Sequence, residues 1–208
     1  NLVARGQIKL LPGSGVDTGK FSPQVLEKSN EFTFLFIARL IKDKGVCELI
    51  DAAKRLSKKY KFKLWLLGEK GVQNNTAVSD KELNSWLKND FISYLGKTDD
   101  VREYIARCDC VVLPSYREGT PRSLLEAAAM AKPIVTTNVA GCKEVVEHGF
   151  NGLLCEVKNS GDLADKMERI LNLSGDELEK IGQNGRKKAV REFDEKIVLK
   201  EYLAAAKA

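Results

Sequence analysis

The sequence predicts an α/β domain with a doubly wound, Rossmann-like parallel sheet. Short apolar runs, such as 32–38 and 110–114, alternate along the chain with amphipathic helical patterns, such as 46–56. The runs are apolar at consecutive positions, which is typical of parallel strands covered by helices on both faces. The 208 residues, 43% of them hydrophobic, suffice to bury a large core without disulfides. Right-handed crossovers between successive strands then give a doubly wound sheet.

Six predicted strands alternate with helices. Each strand is a short apolar run that ends near a turn-forming or polar residue, and the strands are 32–38, 63–67, 91–95, 110–114, 133–137 and 152–157. Most helices follow from apolar residues at three- and four-residue spacing, and the helices are 46–56, 79–87, 101–108, 122–131, 141–147 and the region from about 162 onward, with breaks near 173–175 and 193. Ser79 and Glu82 add a capping box that opens the second helix.

The domain organisation follows from where this alternation begins and ends. Residues 31–193 are predicted to form the Rossmann-like domain, and 194–208 a C-terminal helix. Residues 1–30 do not fit the alternation, and we interpret them as a linker, with a short strand over 7–11 and a linking or docking segment over 16–27. Because the sequence does not begin with Met, we expect the chain to be part of a longer protein.

Composition excludes several function classes. The net charge of +5 is mild, and no known nucleic-acid-binding motif is present, so nucleic-acid binding is not expected. Five cysteines without a Cys-x-x-Cys pair, and a single histidine, exclude a zinc site and indicate buried thiols in a reducing, cytoplasmic compartment. No apolar run approaches the roughly 18 residues of a membrane helix. No Asp-x-Asp motif is present to hold a metal on a diphosphate, so no metal is expected.

The loop after the first strand carries two cations. In this architecture ligands bind at the carboxyl ends of the strands. Arg39 and Lys44 lie in such a loop, before Gly45 and the start of a helix, where the helix dipole disfavours positive charge. A bound phosphate would remove that conflict. On this loop alone, a phosphate site and a solvated surface loop are about equally favoured.

The loop after the fourth strand carries two spaced carboxylates. Glu118 lies in the loop, and Glu126 lies inside a helix, where two Leu precede it and three Ala follow it. A carboxylate there is costly to bury unless two hydroxyls donate to it, as neighbouring sugar hydroxyls can. Considered singly, Glu118 is more simply interpreted as an acid at the start of a helix, and Glu126 as a glutamate that faces solvent. Taken with the cations of the earlier loop, the carboxylates indicate a ligand with a diphosphate and hydroxyl-bearing rings, which is a nucleotide sugar.

With these two loops, the sequence resembles the C-terminal, donor-binding domain of family 4 retaining glycosyltransferases, which have the GT-B fold. The wording of the motifs is most similar to that of bacterial enzymes that build surface polysaccharide or glycan chains. The resemblance extends from about residue 13 to 193. The matching motifs are Gly15-Val-Asp17 with Phe21, Arg39 with Lys44-Gly45, Pro114-Ser115, Glu118-Gly119 with Glu126-Ala127, Pro133-Ile-Val, Gly141 with Glu144, and Asn151-Gly152. Residues 1–30 would then come from the interdomain region, and 31–193 would bind the nucleotide sugar.

The resemblance implies a role for each site residue. Arg39 and Lys44 would neutralise the donor diphosphate in place of a metal, and Glu118 would contact the transferred sugar. Glu126 would hold the ribose hydroxyls. The remaining implied contacts are Gly119, Thr120 and Pro121 at the sugar–phosphate end and the backbone of Gly96 and Lys97 at the nucleobase.

The resemblance also implies partners and reaction. The chain would be the C-terminal half of an enzyme that transfers a hexose, of galactose or N-acetylgalactosamine type, from a UDP-sugar to a glycan or lipid-linked acceptor. The acceptor-binding domain would precede residue 1, so the isolated domain is expected to be inactive. The whole enzyme is expected to be cytoplasmic and peripheral to the inner face of the membrane.

Two other function classes remain open at the level of sequence. Another GT-B nucleotide-sugar enzyme, such as an epimerase, would share the donor site but would need additional acid–base residues. A non-catalytic nucleotide-binding α/β domain, similar to a receiver, would need an acidic cluster and a phospho-acceptor Asp at the strand ends. Asp109 precedes its predicted strand, which disfavours the receiver alternative.

Overall fold

A six-stranded, entirely parallel sheet forms the centre of the protein in the computed structural model, which describes residues 13–24 and 31–205. The strands are β1 (Phe32–Ile37), β2 (Phe62–Leu67), β3 (Ile92–Tyr94), β4 (Cys110–Leu113), β5 (Ile134–Thr137) and β6 (Gly152–Cys155). Their spatial order is β3-β2-β1-β4-β5-β6. This is the order of a doubly wound Rossmann sheet, so the predicted fold class is confirmed.

Helices connect the strands and cover both faces of the sheet. They are α1 (Val46–Leu56), α2 (Asp80–Trp86), α3 (Arg102–Arg107), α4 (Arg122–Ala129), α5 (Cys142–Val145), α6 (Ser160–Leu171), α7 (Gly175–Glu192) and α8 (Glu195–Ala205). The predicted capping box is present: the Ser79 hydroxyl accepts from the Glu82 backbone N–H, while the Glu82 carboxylate accepts from the Ser79 N–H. α1 packs against α6, and α4 packs against α7.

The core lies between the sheet and these helices. All four residues of β4 and all four of β5 are buried, as expected for strands covered on both faces. The largest fully buried side chains include Phe34 and Phe36 of β1, the strand beside β4. The rigid centre of the sheet therefore lies at β1 and β4, and it fixes where the loops that follow these strands begin.

Residues 13–24 pack onto the same domain. Val16 and Phe21 are buried in the core, and the Val16 N–H donates to the Phe193 carbonyl at 2.8 Å. The Glu195 N–H in turn donates to the Val16 carbonyl at 3.0 Å, which attaches this segment to the junction of α7 and α8. The predicted strand over 7–11 lies outside the described residues.

Candidate functional site

The order of the sheet reverses between β1 and β4, and this reversal creates the candidate site. β1 is followed by a connection that leads to α1, and its neighbour β4 is followed by a connection that leads to α4. Because all strands are parallel, both connections start at the same edge of the sheet, and they diverge there to opposite faces. Ligands of doubly wound sheets bind in the crevice that forms at this point. The two loops singled out from the sequence therefore share one edge.

Backbone contacts lock the two loops together. Gly45, with φ +72°, packs so closely on the end of β4 that an added Cβ would lie 2.0 Å from the Pro114 carbonyl oxygen. The Asp43 carbonyl accepts the Tyr116 N–H at 2.9 Å and the Ser115 hydroxyl at 3.2 Å. Only glycine fits at position 45 without moving β4. The distance between the cation loop and the carboxylate loop is thus fixed by the main chain.

Lys44 and Glu118 meet at the centre of this edge. The Lys44 Nζ lies 2.5 Å from the Glu118 Oε1, although the two residues are 74 positions apart in the chain. Their side chains are only 21% and 11% exposed, respectively. A half-buried pair of this kind interacts more strongly than a surface ion pair. The structure therefore joins the cation predicted for the diphosphate to the carboxylate predicted for the sugar.

The loop that carries Glu118 is fixed from its other side by the β5–α5 connection. Gly141 has φ +80°, and an added Cβ would lie 1.4 Å from the Gly119 carbonyl oxygen and 2.9 Å from that of Glu118. The Thr137 hydroxyl at the end of β5 donates to the Ser115 carbonyl at 2.5 Å. Glu118 and Gly119 thus sit between two neighbouring loops that leave them little freedom.

Thr120 and Pro121 complete the entry to α4. Pro121 is buried and immediately precedes the helix, which begins at Arg122. An added Cβ at Gly13 would lie 2.6 Å from the Thr120 Cβ. The segment that begins at residue 13 therefore borders the residues predicted to line the sugar–phosphate end.

Glu126 lies more than one turn inside α4. Its side chain is 12% exposed, and its Oε1 lies 3.7 Å from the Arg122 Nη2. Burial raises the pKa of Glu126, an effect that the positive charges of Arg122 and Lys20 oppose in part. A carboxylate desolvated to this degree gains most from a ligand that donates hydrogen bonds.

The other predicted residues lie along the same edge, on the side of β2 and β3. Arg39 is exposed directly after β1. Gly96 follows β3 with φ +78°, and its carbonyl accepts the Gly68 N–H at 2.8 Å. The Lys97 Nζ lies 3.3 Å from the Glu69 Oε1 in an exposed ion pair. These residues border the crevice, and their contacts described here do not include Lys44 or Glu118.

Sequence reasoning did not find the residues that support this site. Tyr116 donates its hydroxyl to the Glu48 Oε1 at 2.7 Å, across 68 positions of the chain. Lys20 lowers the pKa of Glu126 electrostatically, and it lies in the segment predicted to be a linker or a docking segment. Gly141 belongs to one of the family motifs, and its positive φ is the reason a glycine stands there. The first two have no local sequence signal, because each partner comes from a distant part of the chain.

Within 13–24 and 31–205, no group of three or more His, Cys, Asp or Glu side chains could hold a metal ion. Over the same residues, no helix is both long enough and apolar enough to cross a membrane.

Fold and site together define a Rossmann-like domain of the type found in GT-B glycosyltransferases. Residues 17–188 match the family of glycosyl transferases group 1. Since this match covers most of the chain, the protein belongs to that family. The resemblance found in the sequence motifs is thereby confirmed at the level of family and fold.

Similar proteins include two that are named as glycosyltransferases. The chain is 34% identical to the N,N'-diacetylbacillosaminyl-diphospho-undecaprenol alpha-1,3-N-acetylgalactosaminyltransferase of Campylobacter jejuni, over 95% of this chain and 53% of that protein. The crystal structure of Anabaena HepE in complex with UDP-glucose matches with a TM-score of 0.83 at 25% identity, over 93% of this chain and 56% of that one. The C-terminal domain of the group 1 glycosyl transferase LpcC from Francisella tularensis matches with a TM-score of 0.75 at 27% identity. The match covers 86% of this chain and 99% of that one. The chain thus spans about half the length of the first two proteins.

Proposed function

We propose that this chain is the donor-binding domain of a family 4 retaining glycosyltransferase. The enzyme transfers a hexose, of galactose or N-acetylgalactosamine type, from a UDP-sugar to a glycan or lipid-linked acceptor in polysaccharide biosynthesis. The observation that carries the proposal is the juxtaposition of Lys44 and Glu118, 2.5 Å apart at the switch point of the sheet. A cation next to a carboxylate fits the junction between a diphosphate and a sugar.

Each residue then has a role that suits its position. Lys44, together with the exposed Arg39, stabilises the negative charge that develops on the departing diphosphate, which is electrostatic catalysis without a metal. Glu118 orients the sugar, and Glu126 accepts the two ribose hydroxyls. The sugar–phosphate end is lined by Gly119, Thr120 and Pro121. The nucleobase faces the backbone of Gly96 and Lys97.

The similar proteins favour a UDP-sugar and a membrane-associated acceptor. HepE was crystallised with UDP-glucose, and the Campylobacter relative is named for an undecaprenol-linked diphosphate. Because the chain spans about half of these proteins, we place the acceptor-binding domain in the remainder of a longer enzyme. The isolated chain then binds donor weakly and transfers nothing, and the whole enzyme works in the cytoplasm at the inner face of the membrane. Membership of the transferase family favours this function over the epimerase and receiver-like alternatives.

Calorimetry with UDP, GDP and UDP-hexoses tests the proposal. We expect UDP to bind equally well with and without EDTA, because lysine and arginine replace the metal. Arg39→Ala should weaken UDP binding by at least about tenfold, the loss of one charge-assisted contact. Lys61→Ala removes another exposed cation, which lies away from the crevice, and should leave binding intact.

Two results would count against this function. Binding that EDTA abolishes would require a metal site, and the absence of binding by any nucleotide would remove the donor site altogether. Equal affinities of the Arg39→Ala and Lys61→Ala variants would contradict the role given to the loop after β1.

A further inference from the structure

The Lys44–Glu118 pair poses a problem for any ligand that needs Lys44. Its Nζ is already held by the Glu118 Oε1 at 2.5 Å, and both side chains are largely shielded from water. A phosphate that takes Lys44 must displace a carboxylate that is already in place. It also brings further negative charge next to that carboxylate, where screening by water is weak.

We propose that Glu118 competes internally for Lys44 and thereby makes the site discriminate against a free nucleoside diphosphate in favour of a nucleotide sugar. This inference rests on the proposed function, because it assumes that the diphosphate takes Lys44. The discrimination comes from what happens to Glu118 once its cation has been removed.

A free diphosphate leaves Glu118 without compensation. A nucleoside diphosphate ends in phosphate oxygens that accept hydrogen bonds and cannot donate to a carboxylate once ionised. Breaking a buried pair by removing one partner leaves an uncompensated charge, which is strongly unfavourable. The free diphosphate therefore binds at the expense of a buried, unpaired carboxylate.

A nucleotide sugar supplies the missing donors. The sugar lies directly beyond the diphosphate and carries hydroxyl groups, which can donate to both oxygens of a carboxylate. Hydrogen bonds to a charged group are stronger than neutral ones. Glu118 then exchanges one partner for another, and the ion pair is replaced without leaving a charge unpaired.

The main chain prevents Glu118 from avoiding this competition. The contact of Gly45 with Pro114 fixes the cation loop against β4, and the contact of Gly141 with Gly119 fixes the loop of Glu118. Withdrawal of the cation loop would break the hydrogen bonds that the Tyr116 N–H and the Ser115 hydroxyl donate to the Asp43 carbonyl. When a phosphate takes Lys44, Glu118 can respond only by rotating its side chain, and this rotation keeps the carboxylate in the crevice.

The competition for Lys44 also affects release of the product diphosphate after the sugar has been transferred. Once the sugar has left, the remaining diphosphate no longer compensates Glu118, so Lys44 is drawn back to its internal partner. The ion pair therefore promotes release of the product diphosphate. It also reduces inhibition by that product when donor is present.

Calorimetric titration of the chain with UDP, UDP-glucose and UDP-N-acetylgalactosamine tests the inference. Glu118→Gln keeps the shape of the side chain but removes its charge, and we expect it to bind UDP about tenfold more tightly than the wild type does. Its affinity for the two UDP-sugars should rise less or fall, because the charged acceptor for the hydroxyls is lost. Asp165→Asn makes the same charge change in an exposed pair with Arg55 and should leave all affinities unchanged.

The possible outcomes separate the inference from the function it builds on. If the wild type binds UDP and Glu118→Gln binds it equally or more weakly, the inference is overturned while the donor site stands. If no form binds UDP or a UDP-sugar, the proposed function fails, and the inference fails with it. Circular dichroism checks folding, and Glu118→Ala, for which the same tighter binding of UDP is expected, replaces Glu118→Gln if the latter does not fold.

Discussion

At the scale of single residues, Glu126 shows a conflict between stability and binding. It is a carboxylate flanked by leucine and alanine residues in α4, with 12% of its side chain exposed, and burial raises its pKa. Above this pKa the folded protein holds a charge that water solvates better in the unfolded chain. The residue therefore lowers the free energy of unfolding at neutral pH, a cost that a ligand with paired hydroxyls would offset.

Glu126→Gln should accordingly stabilise the protein while weakening nucleotide binding. At pH 7 we expect the free energy of unfolding to rise by about 1 kcal/mol, because the desolvated charge is removed. The folded-state pKa lies above the unfolded value, so the gain should fade as the pH drops through the folded pKa and be absent below the unfolded value of about 4.3. Urea unfolding at pH 7 and pH 3.5, with UDP titration at pH 7, measures both effects. A variant that is less stable than the wild type at pH 7 would contradict this account.

Gly141 allows a separate prediction about backbone packing. Gly141→Ala places a Cβ against the Gly119 carbonyl and strains a backbone with φ +80°, so we expect a loss of more than about 3 kcal/mol and weaker UDP binding. Gly149 is a matched control, because it has φ +79° but nothing within 4 Å of an added Cβ. Gly149→Ala should cost only the left-handed strain of about 1–2 kcal/mol. Equilibrium unfolding in urea compares the two, and equal losses would show that the contact with Gly119 is unimportant.

At the scale of elements, the connection from β4 to α4 is tied to α1 through one hydroxyl. Tyr116 donates to the Glu48 Oε1, and the Glu48 Oε2 is buried without a hydrogen-bond partner among the described residues. Burial, followed by the neighbouring Glu48 carboxylate, raises the pKa of Tyr116, so the phenol keeps its proton and remains a donor. This contact helps to hold the loop of Glu118 against the helix that follows Lys44.

Tyr116→Phe should therefore be costly for its size. The Glu48 Oε2 already has no hydrogen-bond partner among the described residues, and the substitution also removes the donor to its Oε1. We therefore expect a loss of about 1–3 kcal/mol in the free energy of unfolding. Tyr60→Phe provides the comparison, because the Glu168 carboxylate that Tyr60 contacts at 2.9 Å is 30% exposed and also lies 3.5 Å from Lys59. There, water and the lysine compensate, and the loss should stay below about 1 kcal/mol. Thermal unfolding of both variants distinguishes the two cases, and equal losses would argue against a special role for Tyr116.

Elements were predictable where the signal is local. The alternation of apolar runs and helical stripes located the strands and helices, and the spacing of Ser79 and Glu82 located a helix start. The 3₁₀ turn over Lys42–Lys44 and the tie between Tyr116 and Glu48 were not predicted. Periodicity reports which face of an element is buried, but it does not report which distant residue lies opposite.

At the scale of the whole molecule, topology decided how much of the site could be inferred. A parallel sheet brings all strand-to-loop transitions to one edge, so the prediction that the loops of Lys44 and Glu118 share an edge needed no knowledge of strand order. Their direct pairing did need it, since only the adjacency of β1 and β4 brings the two residues to 2.5 Å. The attachment of Val16 to the junction of α7 and α8 likewise depends on the final fold.

The adjacency of β1 and β4 also dictates when binding competence arises during refolding. Lys44 and Glu118 are separated by 74 positions, and the chain between them includes β2 and β3. Closing so long a loop carries an entropic cost that must be met before the central pairing yields any gain. Hairpin-like local intermediates cannot shorten this path, because parallel neighbours require a crossover. If the chain binds nucleotide as proposed, an early collapsed species that lacks the β1–β4 contact should not bind it. UDP should then stabilise only molecules in which β1 and β4 have already paired.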